Sequence, residues 1–321
     1  MTTRIIRDYL EESMKYALIT GLLMSFLSSH ALSSSILNKT DLRENGNSYV
    51  LEQNRRFIES LESCTPREDG SYRVIVQGFS LFSKLKMNIS GAVVDTLAGL
   101  PLEERSLISP KHNGTRVTQK TIEIAGKKIE LCLVVSEVLW DLAAANLIAI
   151  ANEFKPDFIL LSGKGSTRAV IETGGRNKSG SGSGYLGNGT NAGPLNRPRS
   201  RRIDPRYKSS KVIKSSWHYE KILKASRPFI EALDHKVELG DEGRAENNYI
   251  CNNIHYALLQ SATEGNIELA GGLLRPSMMQ EEIPAIGFFH YPSNTLNSDP
   301  GTELSSWSLV IKEIIKAQLN L

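Results

Sequence analysis

The stretch "VLWDLAAANLIAIANEFKPDFILLSG", residues 138–163, contains the pattern that decides the fold. Residues 138–154 have apolar side chains at helical spacing and predict a helix. Residues 157–163 form a continuous apolar run that ends in glycine, which predicts a buried strand. A helix followed directly by a buried strand is the repeating unit of a layered α/β domain. Sites in such domains form in the loops after strands, so "SGKGSTR", which begins at Ser162, is a candidate site segment.

The same alternation continues on both sides of this unit. Upstream, the sequence predicts a strand over 72–79 ("YRVIVQGF"), a helix over 87–100, and a strand pair within 121–135 that turns at Gly126 and Lys127. Downstream, the predicted elements are helices over 219–235, 251–262 and 305–319, and a strand over 283–292 ("IPAIGFFHYP"). We therefore expect an α/β protein, a three-layer α/β/α sandwich with a mostly parallel mixed sheet.

Composition excludes some classes of partner. The chain has 321 residues, 40% of them hydrophobic and 23% charged, which is ordinary for a soluble globular protein with a sizeable core. The net charge of +3 is too small to indicate nucleic-acid binding, so no nucleic acid is expected as a partner. Basic residues do cluster in 197–214, which we interpret as a solvated loop or, alternatively, as a contact site for an acidic partner.

The N-terminal region resembles an export signal. From Met14, one lysine precedes an apolar run from Ala17 to Leu27, and small residues follow at signal-peptidase spacing. We expect a signal peptide over residues 1–33 with translation starting at Met14, an extension over 34–71, and the main domain over 72–321. The run is too short for a permanent anchor, so no integral membrane segment is expected after its removal. The alternative is an amphipathic helix on a cytoplasmic protein.

Residues 178–216 interrupt the pattern of strands and helices. The segment is rich in glycine and serine and then in basic residues, so it cannot bury much apolar surface, and we expect a disordered insertion. Its glycines 182, 184 and 187 have the spacing of a dinucleotide-binding motif. No strand precedes them and no clear helix follows, so no such site and no cofactor is predicted.

Three cysteines are candidates for chemistry: Cys64, Cys132 and Cys251. An odd, sparse count predicts neither a disulfide framework nor a metal site. Cys132 lies in a strand and is interpreted as a core residue, and Cys64 has no partner nearby in sequence. Cys251 lies at the start of a predicted helix, where the backbone dipoles lower a thiol pKa. It is either a nucleophile or a small buried residue of an apolar helix.

Two histidines could serve such a nucleophile. His290 ends an apolar strand and precedes a Pro-Ser-Asn loop, which is a position typical of site residues, although a structural role there is also common. His255 lies four residues after Cys251 on the same helical face, and helix geometry predicts that it points inward beside Tyr256 and Leu259.

Four blocks of sequence, in order, resemble pyroglutamyl peptidase I, the pyrrolidone-carboxylate cysteine peptidases. They are "VIVQGFSLFSKLKMNISGAVVDTL", "KPDFILLSGKGSTRAVIETGGRN", "YICNNIHYALL" and "GFFHYPS". The resemblance covers 72–321 outside the insertion and implies a phosphorylase/hydrolase-like fold. It implies Cys251 as the nucleophile, His290 as the base and Glu172 as the third catalytic group. It also implies an oxyanion or substrate site formed by Arg168, Phe79, Phe82, Tyr249 and Ile250, with no metal.

The implied activity is that of a cysteine-type omega peptidase. It would hydrolyse the amide after an N-terminal pyroglutamyl residue through a thioester, so its partner is a peptide or small amide substrate; a homo-oligomer stays open. The family's Ala-Gly before the cysteine is Glu246-Asn247 here, and the spacing from Arg168 to Glu172 is two residues shorter. These departures leave two alternatives: an inactive binding protein on the same fold, or a cysteine amidohydrolase for another substrate.

Overall fold

The computed structural model describes residues 63–67, 70–81, 87–102, 115–138, 140–179, 184–185, 191–192, 202–241, 249–269, 274–293 and 299–321. The expected signal peptide and almost all of the expected N-terminal extension lie outside these ranges. No helix in the described ranges is both long enough and apolar enough to span a bilayer.

The described ranges contain five helices and eleven strands. The helices are α1 (Ile89–Ala98), α2 (Leu142–Phe154), α3 (Tyr219–Glu231), α4 (Ile250–Glu264) and α5 (Pro300–Leu319). The strands are β1 (Tyr72–Phe79), β2 (Arg116–Ile124), β3 (Lys127–Ser136), β4 (Phe158–Lys164), β5 (Ala169–Glu172), β6 (Gly174–Arg176), β7 (Gly184–Tyr185), β8 (Asn191–Ala192), β9 (Val212–Lys214), β10 (Val237–Gly240) and β11 (Ala285–Tyr291).

Seven strands form one sheet in the order β10-β5-β11-β4-β1-β3-β2. The neighbours of β1 and β4 are all parallel, as are β10 and β5, whereas β11 with β5 and β2 with β3 are antiparallel. The β2–β3 turn consists of Ala125 and Gly126, both with positive φ, one residue earlier than predicted. The predicted α/β fold with a mostly parallel mixed sheet is confirmed. The short strands β5 and β10 were not predicted.

The two faces of the sheet bury different helices. Alternate residues of the central strands, such as Val74, Val76 and Leu160, share one core with α1, α3 and α5. The intervening residues point to the opposite face, where α4 lies, because successive side chains of a strand alternate between faces. Helix α2 packs against α4. The carboxyl ends of β1, β4 and β11 therefore open beneath α4.

Part of the predicted disordered insertion is ordered, so the boundary at residue 216 was wrong. Strand β9 pairs with β6, and residues 202–216 at the end of the predicted insertion are described. The buried Asn177 holds both ends of the segment together: its Oδ1 accepts from the Ile203 and Asp204 amides, and its Nδ2 donates to the Asp204, Tyr207 and Lys208 carbonyls. A side chain that contacts five backbone groups, with its two N–H groups shared among three carbonyls, fixes the base of residues 178–202 without needing an apolar core.

Charges in the ordered part of the basic run pair locally. Arg206 forms an ion pair with the buried Asp204 at 2.7 Å. Lys211 pairs with Glu264 at the end of α4, also at 2.7 Å, and lies over the Tyr207 ring. These contacts attach the chain after residue 202 to α4, so at least this part of the run is not simply a solvated loop.

Cys64 and Cys132 form a disulfide, which corrects the prediction that the chain has none. Their Cα atoms are 5.9 Å apart and 68 residues separate them in sequence. Cys132 is fully buried in β3, as predicted, and Cys64 is also fully buried. Sequence spacing could not show this pairing because the two residues meet only after β3 has joined the sheet. Cys251 is left as the free cysteine.

The disulfide closes a long loop, so its removal should destabilise the protein. We expect the Cys64→Ser/Cys132→Ser variant to lose about 2–4 kcal/mol of unfolding free energy, mainly because its unfolded chain gains conformational freedom. Urea unfolding followed by circular dichroism measures the change. The control is Cys251→Ser, which removes the free thiol and keeps the disulfide. Equal stability of the double variant and the parent would contradict the bond.

Candidate active site

One row of residues crosses the carboxyl edge of the sheet on the face that carries α4. His290 of β11 is the register partner of Gly163 of β4, so their side-chain directions lie on the same face. Extending the β1–β4 register by two residues places Phe79 beside Gly163. The structure thus brings "GFSL" (78–81), "SGKGSTR" and "FFHYP" to one edge, because parallel strands end together there.

His290 forms an ion pair with Glu172. Its Nε2 lies 3.1 Å from Glu172 Oε1, and both side chains are largely buried. Glu172 ends β5, which runs antiparallel to β11 and pairs Val170 with His290. No group in the described part of the chain hydrogen-bonds to the buried His290 Nδ1. The imidazole is therefore oriented through one nitrogen and has the other available for a proton.

Cys251 lies above the same row. A β-carbon on Gly163 would stand 2.8 Å from Cys251 Sγ and 3.1 Å from the Phe288 ring. Phe288 in turn packs against His290, with ring centroids 4.7 Å apart. The thiol thus meets the sheet at Gly163, the register partner of His290 on the neighbouring strand. Glycine at 163 leaves room for the sulfur, because a β-carbon there would stand closer to Sγ than side chains normally approach.

The thiol is neutral in the resting site. Burial, together with the Glu172 carboxylate, raises the pKa of Cys251 to about 12. A backbone hydrogen bond at Cys251 and its position in the first turn of α4 act in the opposite direction, since both favour negative charge on sulfur. A thiolate at this position would therefore form only when a nearby base takes the proton.

Two asparagines that follow the thiol fix the start of α4. Asn252 is hydrogen-bonded to the Arg176 amide and to the Arg176 and Lys178 carbonyls. Asn253 forms two hydrogen bonds with Asp141, whose φ of 64° is unusual for a residue other than glycine. The first turn of α4 is thus anchored to β6 on one side and to the beginning of α2 on the other.

Two hydrogen bonds hold the backbone carbonyl of Glu172, and its side chain lies in the space beside Gly240. Ser215 Oγ and Trp217 Nε1 both donate to the Glu172 carbonyl, at 3.1 and 3.0 Å. Gly240 of β10 is the register partner of Glu172, and a β-carbon there would overlap Glu172 Oε2. Glycine at 240 thus leaves the carboxylate its place, since a β-carbon there would force it to shift.

The remaining predicted site residues lie in different surroundings. The half-exposed Arg168 forms an ion pair with Glu238 at 2.7 Å. Tyr249 is the N-cap of α4 and is 66% exposed, whereas Ile250 and Phe79 are buried. Phe82 and the Glu246-Asn247 pair lie outside the described residues. The structure therefore groups Cys251, His290, Glu172 and Phe79, and gives Arg168 a separate partner.

Several residues that shape the site were not identified from the sequence. Gly240 carried no signal beyond being a glycine, and Gly163 lay in the candidate segment "SGKGSTR" without an assigned role. Ser215 lay within the predicted disordered insertion, and Trp217 directly after it. His255 is buried as predicted, but its partner, Ser215 Oγ at 3.0 Å from Nε2, was not foreseen. No cluster of metal-binding side chains occurs among the residues whose structure is described.

Comparisons with known proteins give structural likenesses only. No protein-family model and no curated protein matches the chain. A mutant pyrrolidone carboxyl peptidase from Pyrococcus furiosus is 18% identical over 77% of this chain and 98% of its own, with a TM-score of 0.48. Pyroglutamyl peptidase I from Bacillus amyloliquefaciens is 14% identical over 78% and 98%, with a TM-score of 0.49. The activity of this chain must therefore be inferred from its own side chains.

A methyl group at position 163 should disturb the site. We expect Gly163→Ala to cost about 1–3 kcal/mol of unfolding free energy, because the new β-carbon displaces Cys251 Sγ and the Phe288 ring. Thermal and urea unfolding measure the cost. Gly301→Ala is the matched control, since a β-carbon there meets no atom closer than 3.5 Å. Equal stability of the two variants would show that position 163 accommodates a β-carbon without displacing Cys251 Sγ or the Phe288 ring.

Acid should weaken the fold through His255. Burial lowers the pKa of His255 to about 4, with the Glu172 carboxylate partly opposing the shift. Between about pH 6.5 and 4 the unfolded chain binds a proton that the folded protein does not, so stability falls as the pH falls, by about 3 kcal/mol in total from this group. Unfolding midpoints across that range should show a shallower slope in His255→Gln. Gly301→Ala, which changes no titratable group, should keep the parental slope; a parental slope in His255→Gln would refute the assignment.

Proposed function

We propose that the protein is a cysteine peptidase of the pyroglutamyl-peptidase type, with Cys251 as nucleophile, His290 as general base and acid, and Glu172 as the group that orients His290. The supporting observation is the ion pair between His290 Nε2 and Glu172 on the face of the sheet that Cys251 Sγ contacts. His290 Nδ1 has no hydrogen-bond partner among the described residues. A nucleophile, a base and an orienting carboxylate together are the requirement for cysteine-dependent acyl transfer.

The chemistry begins from a neutral thiol. The Cys251 proton passes to His290 Nδ1 as the sulfur attacks the carbonyl carbon that joins the pyroglutamyl ring to the next residue. The C–N bond then breaks, and the leaving amine takes that proton from His290. Water gives a proton to His290 and adds to the thioester, which releases pyroglutamic acid and restores the thiol. Glu172 stabilises the imidazolium in both halves of the reaction.

The start of α4 supplies the oxyanion site in this proposal. The first N–H groups of a helix have no partner within the helix, and those around Ile250 and Cys251 lie beside the reacting carbon. Arg168, which pairs with Glu238, is not required. Phe79 and Ile250 give apolar cover for the lactam ring, and Tyr249 lies at the exposed side. Unpaired lactam N–H and C=O groups would cost about 1–3 kcal/mol each, so the site must also supply polar partners.

We also propose that the protein is exported. The Cys64–Cys132 disulfide supports this, because disulfides persist in oxidising compartments and are rare in the cytoplasm. The pattern from Met14 to Ser33 supplies the signal. The raised pKa of Cys251 keeps its thiol protonated, which slows oxidation in such a compartment, since the thiolate is the reactive form.

One observation favours a second candidate, a binding protein without turnover. Within the described residues Cys251 Sγ forms no hydrogen bond with either nitrogen of His290, and the raised pKa keeps the thiol neutral. An inactive relative that keeps the pocket would have the same features. Turnover measurements separate the two candidates.

The test is hydrolysis of a chromogenic pyroglutamyl amide by the full chain under mildly reducing conditions. We expect amine release, and we expect its rate to fall about 10³-fold or more in Cys251→Ser and in His290→Gln. Loss of one member of a catalytic unit lowers the rate about as much as loss of the whole unit. Ser261→Ala, which removes a buried hydroxyl with no hydrogen-bond partner among the described residues, should match the parent.

The negative outcomes are distinct. Turnover that survives in Cys251→Ser would remove Cys251 as the nucleophile. Absence of turnover, combined with pyroglutamate binding measured by calorimetry, would establish the binding protein. Hydrolysis of other N-terminal amides but not of the pyroglutamyl amide would identify an amidohydrolase with a different substrate.

A further inference from the structure

Residues 215–217, "SSW", contact three of the elements that build the candidate site. Ser215 Oγ and Trp217 Nε1 donate to the Glu172 carbonyl on β5. Ser216 Oγ accepts from the Ile286 amide on β11, and the Trp217 ring covers Gly287 of the same strand so closely that a β-carbon there would overlap it. Ser215 Oγ also lies 3.0 Å from His255 Nε2 on α4. One short segment thus joins the strands of Glu172 and His290 to the helix of Cys251.

The direction of the hydrogen bonds at Ser215 follows from their chemistry. A hydroxyl has one hydrogen, and the Glu172 carbonyl can only accept, so the Ser215 hydrogen goes to Glu172. Ser215 Oγ then accepts from His255 Nε2–H, which fixes the tautomer of His255. Within the described structure its Nδ1 is buried without a partner. The reverse arrangement would bury an unpaired N–H on His255 and remove a donor from Glu172.

His255 is therefore more than a core residue. It lies one helical turn after Cys251 and shares the Phe288 ring with His290, with ring centroids 5.7 Å from His255 and 4.7 Å from His290. Any movement of α4 against β5 must stretch the chain of contacts from His255 through Ser215 to Glu172. The proposed reaction does not use this imidazole.

We propose that His255 and Ser215 form a positioning pair that sets the Glu172 carboxylate against His290 and fixes its distance from Cys251. The inference rests on the proposed function for its catalytic consequence, but the pair's effect on the Glu172–His290 contact is independent of turnover. Neither residue touches the reacting atoms. Both act through the backbone of Glu172 and the placement of α4.

The experiment compares variants that keep or lose the hydrogen bond. In His255→Gln the side-chain amide reaches the place of Nε2 and can still donate to Ser215, whereas the shorter His255→Asn cannot. Ser215→Thr keeps the hydroxyl and Ser215→Ala loses it. We expect kcat to fall up to about 100-fold in His255→Asn and Ser215→Ala with KM little changed, and to recover largely in His255→Gln and Ser215→Thr. Ser261→Ala on the same helix is the control.

A second readout does not need activity. The His290 Nε2–H proton, hydrogen-bonded to a buried carboxylate, should give a slowly exchanging downfield proton signal in NMR of the full chain, assigned by its loss in His290→Gln. We expect the signal in the parent, His255→Gln, Ser215→Thr and Ser261→Ala, and its loss or shift in His255→Asn and Ser215→Ala. An unchanged signal in folded His255→Asn overturns the positioning pair. A parent that shows the signal but no turnover overturns the proposed function alone.

Discussion

The parallel hydrogen bonding between β4 and β11 places His290 opposite Gly163, and the geometry of the candidate site depends on that register. A slip of one residue would move His290 to the face covered by α1, α3 and α5 and would bring the Phe289 ring to the position of the imidazole. The register is protected because Phe289 and Tyr291 pack on Trp307 of α5. The apolar core on one face of the sheet thus fixes the position of His290 on the other face.

Burial gives the site its electrostatic character. A carboxylate, a thiol and two imidazoles lie together with little exposure to water, and such groups are costly to charge unless they are paired. Glu172 pairs its charge with His290, while Cys251 and His255 respond to the same environment by favouring their neutral forms. Proton transfer between Cys251 and His290 would create two charges next to an existing one. Because the site is enclosed, the cost of creating those charges depends on where the Glu172 carboxylate lies.

Much of this arrangement could be predicted from local patterns, and the rest depends on contacts between distant residues. The apolar runs at 72–79, 157–163 and 283–292 identified β1, β4 and β11, and the loops after them identified the edge where Phe79, Gly163 and His290 meet. The prediction was wrong for Cys64 and Cys132, because pairing across 68 residues has no local signal. It was also wrong at the end of the insertion, since glycine, serine and charge dominate the composition there although Ser215 and Ser216 are held by hydrogen bonds. Strands β5 and β10 are too short to show a period.

The hydrogen bonds of Asn177 affect how the segment between residues 178 and 202 could change during evolution. Because its single side chain joins residue 177 to residues 203–208, and Asn252 joins the same base to α4, the path between residues 178 and 202 starts and ends at fixed points close to each other. Closing a longer loop between fixed points adds little entropic cost, since that cost grows only with the logarithm of loop length. Evolution could therefore lengthen, shorten or replace this stretch as an independent unit, and an engineer could graft a foreign peptide there beside the candidate site.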